Sequence, residues 1–100
     1  MELIEQNIIT IQSLCKRHNV AHLFVFGSIL KESFNKNSDI DFIVDFNEVS
    51  LEKYADNYFD FKFSLEDLLK REVDLLEDKA IKNPFLRTSI DSTKRLVYGH

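Results

Sequence analysis

Two aspartates, Asp39 and Asp41, stand two residues apart in a stretch that alternates between polar and apolar side chains. Residues 39–46 read DIDFIVDF, which predicts a strand with both aspartates on the same face. Side chains at this spacing lie ~6–7 Å apart along a strand, so two carboxylates repel unless cations lie near them. Hard divalent cations such as Mg²⁺ prefer oxygen ligands, and two of them ~3.5–4 Å apart can stabilise both oxygens of a phosphoryl displacement. The alternative is a pair of acids on an exposed strand face.

A third acid, Asp74, lies in the middle of the sequence EVDLLE at residues 72–77, which predicts another short strand. Apolar residues flank Asp74, and a lone acid in such a position is costly to bury unless it is paired or bound to a metal. If this strand neighbours the strand at 39–46, Asp74 completes a cluster of three carboxylates. Glu72 shares its face and is a rival for that position. The alternative for Asp74 is a salt bridge to Lys or Arg.

The pair Gly27-Ser28 ends the apolar run VAHLFVF at residues 20–26 and opens a short polar segment. Glycine permits unusual backbone angles and the close approach of a ligand. The free N–H groups at a helix start attract phosphate. The pair therefore predicts a phosphate-binding turn, with a plain turn as the alternative.

Together these motifs resemble a known signature. Residues 26–44 read FGSILKESFNKNSDIDFIV, in which Gly-Ser, a ten-residue spacer and Asp-x-Asp follow one another. This order is similar to that of the DNA polymerase beta-like nucleotidyltransferase superfamily. The later Val73–Leu76 resembles the strand with the third carboxylate in that family, and Ile90–Gly99 resembles its closing strand. The small size is similar to the minimal nucleotidyltransferases (MNT), although Leu30-Lys31-Glu32 stands where these commonly carry Ala-Arg-Gly.

The resemblance implies a role for each residue that matches the signature. Gly27 and Ser28 would hold the triphosphate of ATP, and Asp39 and Asp41 would bind Mg²⁺, with two ions in the site. Asp74 would help to bind the catalytic metal and activate the attacking hydroxyl. The expected reaction is transfer of AMP from ATP to a hydroxyl, with pyrophosphate leaving.

Many minimal members pair with a HEPN-domain protein as antitoxin and toxin, so the expected acceptor is a tyrosine of such a partner and a hetero-oligomer is expected. A second hypothesis is a non-catalytic antitoxin that neutralises its partner by covering it. A third is the catalytic half of an aminoglycoside-type transferase.

The elements that must position these residues alternate between helix and strand. The patterns predict an α/β (α+β) fold, a nucleotidyltransferase-like one in view of the resemblance, with a small mixed sheet and helices packed on one face. The acid-bearing face is expected to stay open. Helices are predicted at 2–18, directly after Ser28, from Ser50 to about Lys70 and at 79–91; strands are predicted at 20–26, 39–46, 72–77 and 94–98.

Aromatic residues dominate the long central helix. Its predicted core stripe comprises Leu51, Tyr54, Tyr58, Phe61, Leu65 and Leu68. Phe59 and Phe63 lie off that stripe and are candidates for a partner surface, with a core position as the alternative.

Composition and charge exclude several classes of function. The 100 residues suit a single domain, 1–100, and the formal net charge of −4 with scattered Lys/Arg doublets argues against a long nucleic acid as ligand. The first residues, MELIEQNIIT, do not predict a signal peptide, and no apolar run is long enough to predict a membrane span. One cysteine, Cys15, suits a reducing compartment, and we expect a cytoplasmic protein.

Overall fold

The computed structural model describes residues 2–99 and confirms the predicted order of helices and strands. A single 3₁₀ turn follows the first strand and another follows the third. The elements are α1 (Glu2–Gln6), α2 (Ile8–Arg17), β1 (Val20–Phe26), a 3₁₀ turn (Gly27–Leu30), β2 (Ile40–Phe46), α3 (Leu51–Leu69), β3 (Val73–Glu77), a second 3₁₀ turn (Asp78–Ala80), α4 (Pro84–Thr93) and β4 (Arg95–Tyr98).

The four strands form one mixed sheet in the order β3-β2-β1-β4. β1 pairs antiparallel with both β2 and β4, whereas β2 and β3 run parallel. A parallel pair needs a crossover connection, and α3 supplies it here. The predicted fold class, a small mixed sheet with helices, is therefore confirmed.

The main core lies between one face of the sheet and helices α1 to α3. Inward-facing residues of neighbouring strands meet there, and several are fully buried. They include Leu23 and Val25 of β1, Phe42 and Val44 of β2, and Phe61 and Leu65 of α3. No helix within residues 2–99 combines the length and the apolar character that crossing a membrane requires.

The opposite face, expected to stay open, is partly covered. Ile43, which shares this face with Asp41, is fully buried. Lys94 directly follows α4, and its Nζ lies 4.3 Å from the ring centroid of Phe24, which is opposite Ile43 in the β1–β2 register. Ile90 of α4 is also buried but lies outside the main cluster. The short fourth helix thus shields the apolar part of this face and leaves the acids at its margin.

The first predicted helix is divided in two at Asn7. The Asn7 side chain donates a hydrogen bond from Nδ2 to the Leu3 carbonyl oxygen at 2.8 Å, and its backbone N–H donates to Ile4. An Asn that bonds to nearby backbone in this way competes with regular helical geometry.

The predicted core stripe of α3 was wrong at Leu51, which is 92% exposed. This residue occupies the first helical position, and the buried residues of α3 begin only at Phe61. The side chains of Phe59 and Phe63 are 48% and 54% exposed, as expected for residues off the core stripe.

Candidate active site

The parallel pairing of β2 with β3 brings two of the predicted acids together. Asp41 lies directly opposite Asp74 in the register, and both therefore project from the same face. Asp39 immediately precedes β2 and is exposed, as is Asp74, whereas Asp41 is half-buried. Glu72 lies outside β3, and only its carbonyl joins the pairing by accepting a bond from the Ile40 N–H.

The electrostatics of Asp41 reflect this crowding of negative charge. Burial raises the pKa of Asp41 above its ordinary value of 3.8, and the charges of Asp74 and Asp39 raise it further. A hydrogen bond from the backbone N–H of Ser28 and the charge of Lys31 act in the opposite direction. Since the pKa remains raised, the protein's own groups do not fully compensate the Asp41 carboxylate.

The turn after β1 packs against this carboxylate. Gly27 has φ +71°, and a Cβ added at this position would collide with Oδ2 of Asp41. Antiparallel pairing of Phe26 with Asp41 places the two chain segments side by side. Glycine is therefore required here both for its backbone angle and for the space it leaves.

Ser28 links the same turn to both aspartates. Its Oγ donates a hydrogen bond to the carbonyl oxygen of Asp39 at 2.9 Å, and its backbone N–H bonds to Asp41. The predicted helix after Ser28 is one 3₁₀ turn, Gly27–Leu30. So short a helix has little macrodipole, and any phosphate held there would be bound by local N–H groups and close backbone approach.

Asp74 lines a cleft at the start of β3. The cleft has a volume of about 360 Å³, and Asp39, Lys62, Glu66 and Glu72 also line it. Burial raises the pKa of the Tyr58 phenol on α3, and the negative charge of Asp74 raises it further. Within residues 2–99 no ion pair involves Asp74, so the salt-bridge alternative is not observed.

The carboxylates suit hard cations in their chemistry but do not form a closed cage. All three acids offer oxygen ligands on or beside two neighbouring strands, and the raised pKa of Asp41 shows that a positive charge would be favourable there. Across residues 2–99, no three His, Cys, Asp or Glu side chains converge into a ready metal site. A cation would therefore have to draw the carboxylates of Asp39, Asp41 and Asp74 together.

Sequence reasoning missed three residues of α3 that lie near Asp74. Tyr58, Lys62 and Glu66 recur every four residues along α3 and therefore lie on one face of the helix. That spacing is visible in the sequence, but Tyr58 also fits the predicted core stripe of α3, which assigns it to the core instead. The orientation of this face toward β3 depends on how α3 packs, which periodicity does not specify.

Two other titratable residues, Asp45 and Cys15, lie away from the three carboxylates. Asp45 Oδ2 is 3.3 Å from Nδ1 of His22, at the other end of β2. Cys15 is fully buried, and its burial raises the pKa of the thiol to about 12. Cys15 is therefore a small core residue.

Sequence comparisons connect this geometry to known proteins. The family described as Polymerase beta, Nucleotidyltransferase matches residues 9–100. A candidate protein adenylyltransferase of Methanocaldococcus jannaschii is 36% identical over 85 residues, which cover 85% of this chain and 82% of that protein. Protein adenylyltransferase MntA of Thermococcus cleftensis is 33% identical over 88 residues, with 87% of this chain and 82% of MntA covered.

Solved structures share the same fold. A candidate minimal nucleotidyltransferase superposes with a TM-score of 0.77 at 28% identity, covering 94% of this chain and 92% of that chain. A complex of a tri-AMPylated HEPN toxin of Shewanella oneidensis with an MNT antitoxin contains a chain that superposes with a TM-score of 0.65. That superposition covers 96% of this chain and 72% of the other at 18% identity, so it supports the fold alone.

Proposed function

The chain belongs to the polymerase beta nucleotidyltransferase family of enzymes, and we propose that it transfers AMP from ATP to a tyrosine hydroxyl of a HEPN-type toxin and so acts as an antitoxin. The observation that carries this proposal is the position of Asp41. Its half-buried carboxylate is held against the Gly27–Ser28 turn, opposite Asp74 and two residues from Asp39.

Two properties of the relatives support the choice of nucleotide and acceptor. Relatives with about one third of their residues identical to this chain are named protein adenylyltransferases. A complex with the same fold pairs an MNT antitoxin with an AMPylated HEPN toxin. We propose that this chain forms a hetero-oligomer of the same kind in the cytoplasm, where a single cysteine such as Cys15 remains reduced.

Asp39, Asp41 and Asp74 would hold two Mg²⁺ ions. When bound, such ions neutralise charge on the phosphates and orient the attacking and leaving oxygens. The close approach that Gly27 permits would let the backbone of the turn contact the triphosphate. Ser28 already bonds to the backbone carbonyl of Asp39 and to Asp41, so in this scheme it connects the phosphate-binding turn to the residues that bind the metal ions.

The transfer itself is a substitution at the α-phosphorus of ATP. The tyrosine oxygen forms the new bond to phosphorus, the bond to the bridging oxygen of pyrophosphate breaks, and pyrophosphate leaves. Asp74 is the exposed carboxylate on the outermost strand, and it would accept the phenol proton. Rate enhancement then comes mainly from positioning and from stabilisation of charge.

The test is the intact mass of a co-purified HEPN-domain partner, encoded beside this chain, after incubation with ATP and Mg²⁺. We expect a gain of one or more AMP units with the wild-type chain and none with the Asp39→Asn/Asp41→Asn double variant. A double variant Asp60→Asn/Asp67→Asn, which changes two exposed acids beside Arg17 and His18, is the matched control and should keep the transfer.

The other outcomes point to other functions. A stable complex without any gain in mass would contradict the enzymatic role and support neutralisation by covering the toxin. Absence of a complex would contradict the HEPN partner and direct the search to other hydroxyl acceptors.

A further inference from the structure

A groove runs along the outer edge of β3, between this strand and α3. It consists of two clefts of about 360 Å³ each, lined by successive residues of β3, which we call together the edge groove. Its apolar end is lined by residues that include Tyr58, Phe59 and Leu76. Its acidic end begins where β3 starts and includes Asp74, Glu66 and Glu72.

The order of the strands determines from which side an acceptor can approach. In the sequence β3-β2-β1, the Gly27–Ser28 turn lies on the β1 side of Asp41, and Asp74 lies on the β3 side. In phosphoryl transfer the attacking and leaving oxygens lie roughly in line. If the triphosphate occupies the turn, as proposed above, the hydroxyl must arrive from the opposite side. Asp74 lies on that side and also lines the acidic end of the edge groove, which connects the groove to the path of the hydroxyl.

Two backbone groups of the strand edge inside this groove are already hydrogen-bonded within the chain. The outward N–H of Val73 donates to Oε2 of Glu66 at 2.9 Å, and the outward carbonyl of Leu75 accepts from the Tyr58 hydroxyl. Both side chains come from α3 and occupy backbone positions that an added strand would need. This favours a segment that is held mainly through its side chains.

Charge and exposure indicate what kind of segment fits. Four acids, Asp39, Glu66, Glu72 and Asp74, line the acidic end against a single cation, Lys62. The apolar end presents Phe59, whose 48% exposed ring stacks on that of Phe63 with centroids 5.8 Å apart. A complementary segment would carry basic residues beside its hydroxyl and an apolar side chain some distance away.

We propose that the edge groove is the docking surface for the acceptor segment of the partner protein. The partner would place a basic residue against Glu72, an apolar side chain against Phe59, and its acceptor tyrosine over Asp74. This inference rests on the proposed function for the direction of attack. The docking surface itself can be tested by binding alone.

The experiment uses the HEPN-domain partner described above and two single variants, Phe59→Ala and Glu72→Lys. Each should raise the Kd of the complex about tenfold, and should raise the KM for the partner more than it lowers kcat. The matched controls are Phe85→Ala, which removes an 86% exposed ring on α4, and Glu5→Lys, which reverses an exposed charge on α1. Both controls should bind and react as the wild type does.

A third variant tests the same surface without removing a side chain that contributes to packing. Ala80→Arg adds bulk at an exposed position that lines the apolar end, and it should also weaken the complex. Thermal unfolding of each variant shows whether the native state is retained.

The outcomes separate the docking surface from the reaction. Unchanged Kd and KM in Phe59→Ala, Glu72→Lys and Ala80→Arg would overturn the docking surface while transfer still occurs. Weaker binding in these variants, with no transfer by the wild type, would support the surface and overturn the enzymatic role. Tighter binding in Glu72→Lys would show an acidic segment and overturn the proposed charge of the partner. A wild-type chain that does not bind the partner overturns both proposals.

Discussion

The contact between Gly27 and Asp41 makes a sharp prediction about a single methyl group. Gly27→Ala adds a Cβ that collides with the Asp41 carboxylate at φ +71°. We expect AMP transfer to fall by about 100-fold or more, and the free energy of unfolding to fall by about 1–2 kcal/mol, because either the turn or the carboxylate must move. Transfer rates and denaturant unfolding would measure the two effects.

Ser33→Ala serves as the control for Gly27→Ala. Ser33 is exposed in the segment that links the turn to β2, and its replacement should leave both transfer and stability close to wild type. An active Gly27→Ala variant would show that the close approach of the turn to Asp41 is unnecessary.

Asp41 predicts a conflict between function and stability. Its pKa is raised in the folded state above the unfolded value, so ionisation of Asp41 destabilises the native protein. This loss of stability is absent when the pH lies below the pKa of Asp41 in the unfolded chain. It reaches its full size once the pH exceeds the pKa of Asp41 in the folded protein. Asp41→Asn should therefore raise the free energy of unfolding at neutral pH. Because solvent screens a half-buried group, the gain should be below about 1 kcal/mol.

Unfolding of the metal-free protein by urea at neutral pH and at a pH near 3 would test this prediction. The advantage of Asp41→Asn over the wild type should disappear at the lower pH, where both side chains are neutral. Asp67→Asn, at an exposed acid on α3, serves as the control and should show no such dependence. A destabilised Asp41→Asn at neutral pH would contradict the electrostatic account.

The sequence predicts the three acids of the candidate site but not the contacts around them. Alternation alone places Asp39 and Asp41 together, and an apolar setting singles out Asp74. The contact of Gly27 with Asp41 follows from the antiparallel register of β1 with β2, and the pairing of Asp41 with Asp74 follows from the parallel register of β2 with β3. Registers depend on tertiary packing and on turn geometry, which a single sequence does not specify.

At the scale of elements, two tyrosines on α3 differ in the hydrogen bonding of their hydroxyl groups. The Tyr58 hydroxyl donates to the Leu75 carbonyl of β3, whereas the buried Tyr54 hydroxyl has no hydrogen-bond partner among the described residues. Tyr58→Phe should lower the free energy of unfolding by about 1 kcal/mol, since it removes a hydrogen bond between helix and strand. Tyr54→Phe should leave stability unchanged or raise it, since it removes an unpaired buried polar group.

Urea unfolding midpoints of the two variants give the comparison directly. Equal losses in both would mean that the hydroxyl of Tyr58 contributes no more than that of Tyr54. Both substitutions retain the aromatic ring, so a difference in stability between the two variants reports on the hydroxyl groups alone.

The elements themselves are mostly predictable because their apolar patterns are long and regular. The exceptions have local causes. Asn7 divides the first helix through its side-chain hydrogen bond. Leu51 is exposed because the first turn of α3 lies beyond the residues of the core. The partial cover over Ile43 depends on where α4 packs, which its own short sequence pattern does not show.

For the molecule as a whole, the excess of negative charge at the site predicts a response to magnesium. Mg²⁺ that binds only the native state should stabilise it by about 1.4 kcal/mol at a tenfold excess over its Kd. Thermal unfolding should therefore shift to higher temperature in the wild type as Mg²⁺ is added. The Asp39→Asn/Asp41→Asn double variant should lack this shift.

Sodium chloride at matched ionic strength separates specific binding from general screening. It should reproduce only a small part of the effect in the wild type. An equal response of the wild type and the double variant would contradict a magnesium site at these carboxylates.

The partly occupied edge of β3 also bears on the solubility of the chain before it meets the proposed partner. Exposed strand edges are the usual starting points for aggregation, because unpaired backbone groups recruit further strands. Here Glu66 and Tyr58 occupy part of the β3 edge, and the other edge strand, β4, has only four residues and begins with Arg95. A newly made chain that folds in the absence of its partner would thus have few free sites for strand-to-strand association and could accumulate in solution until the complex forms.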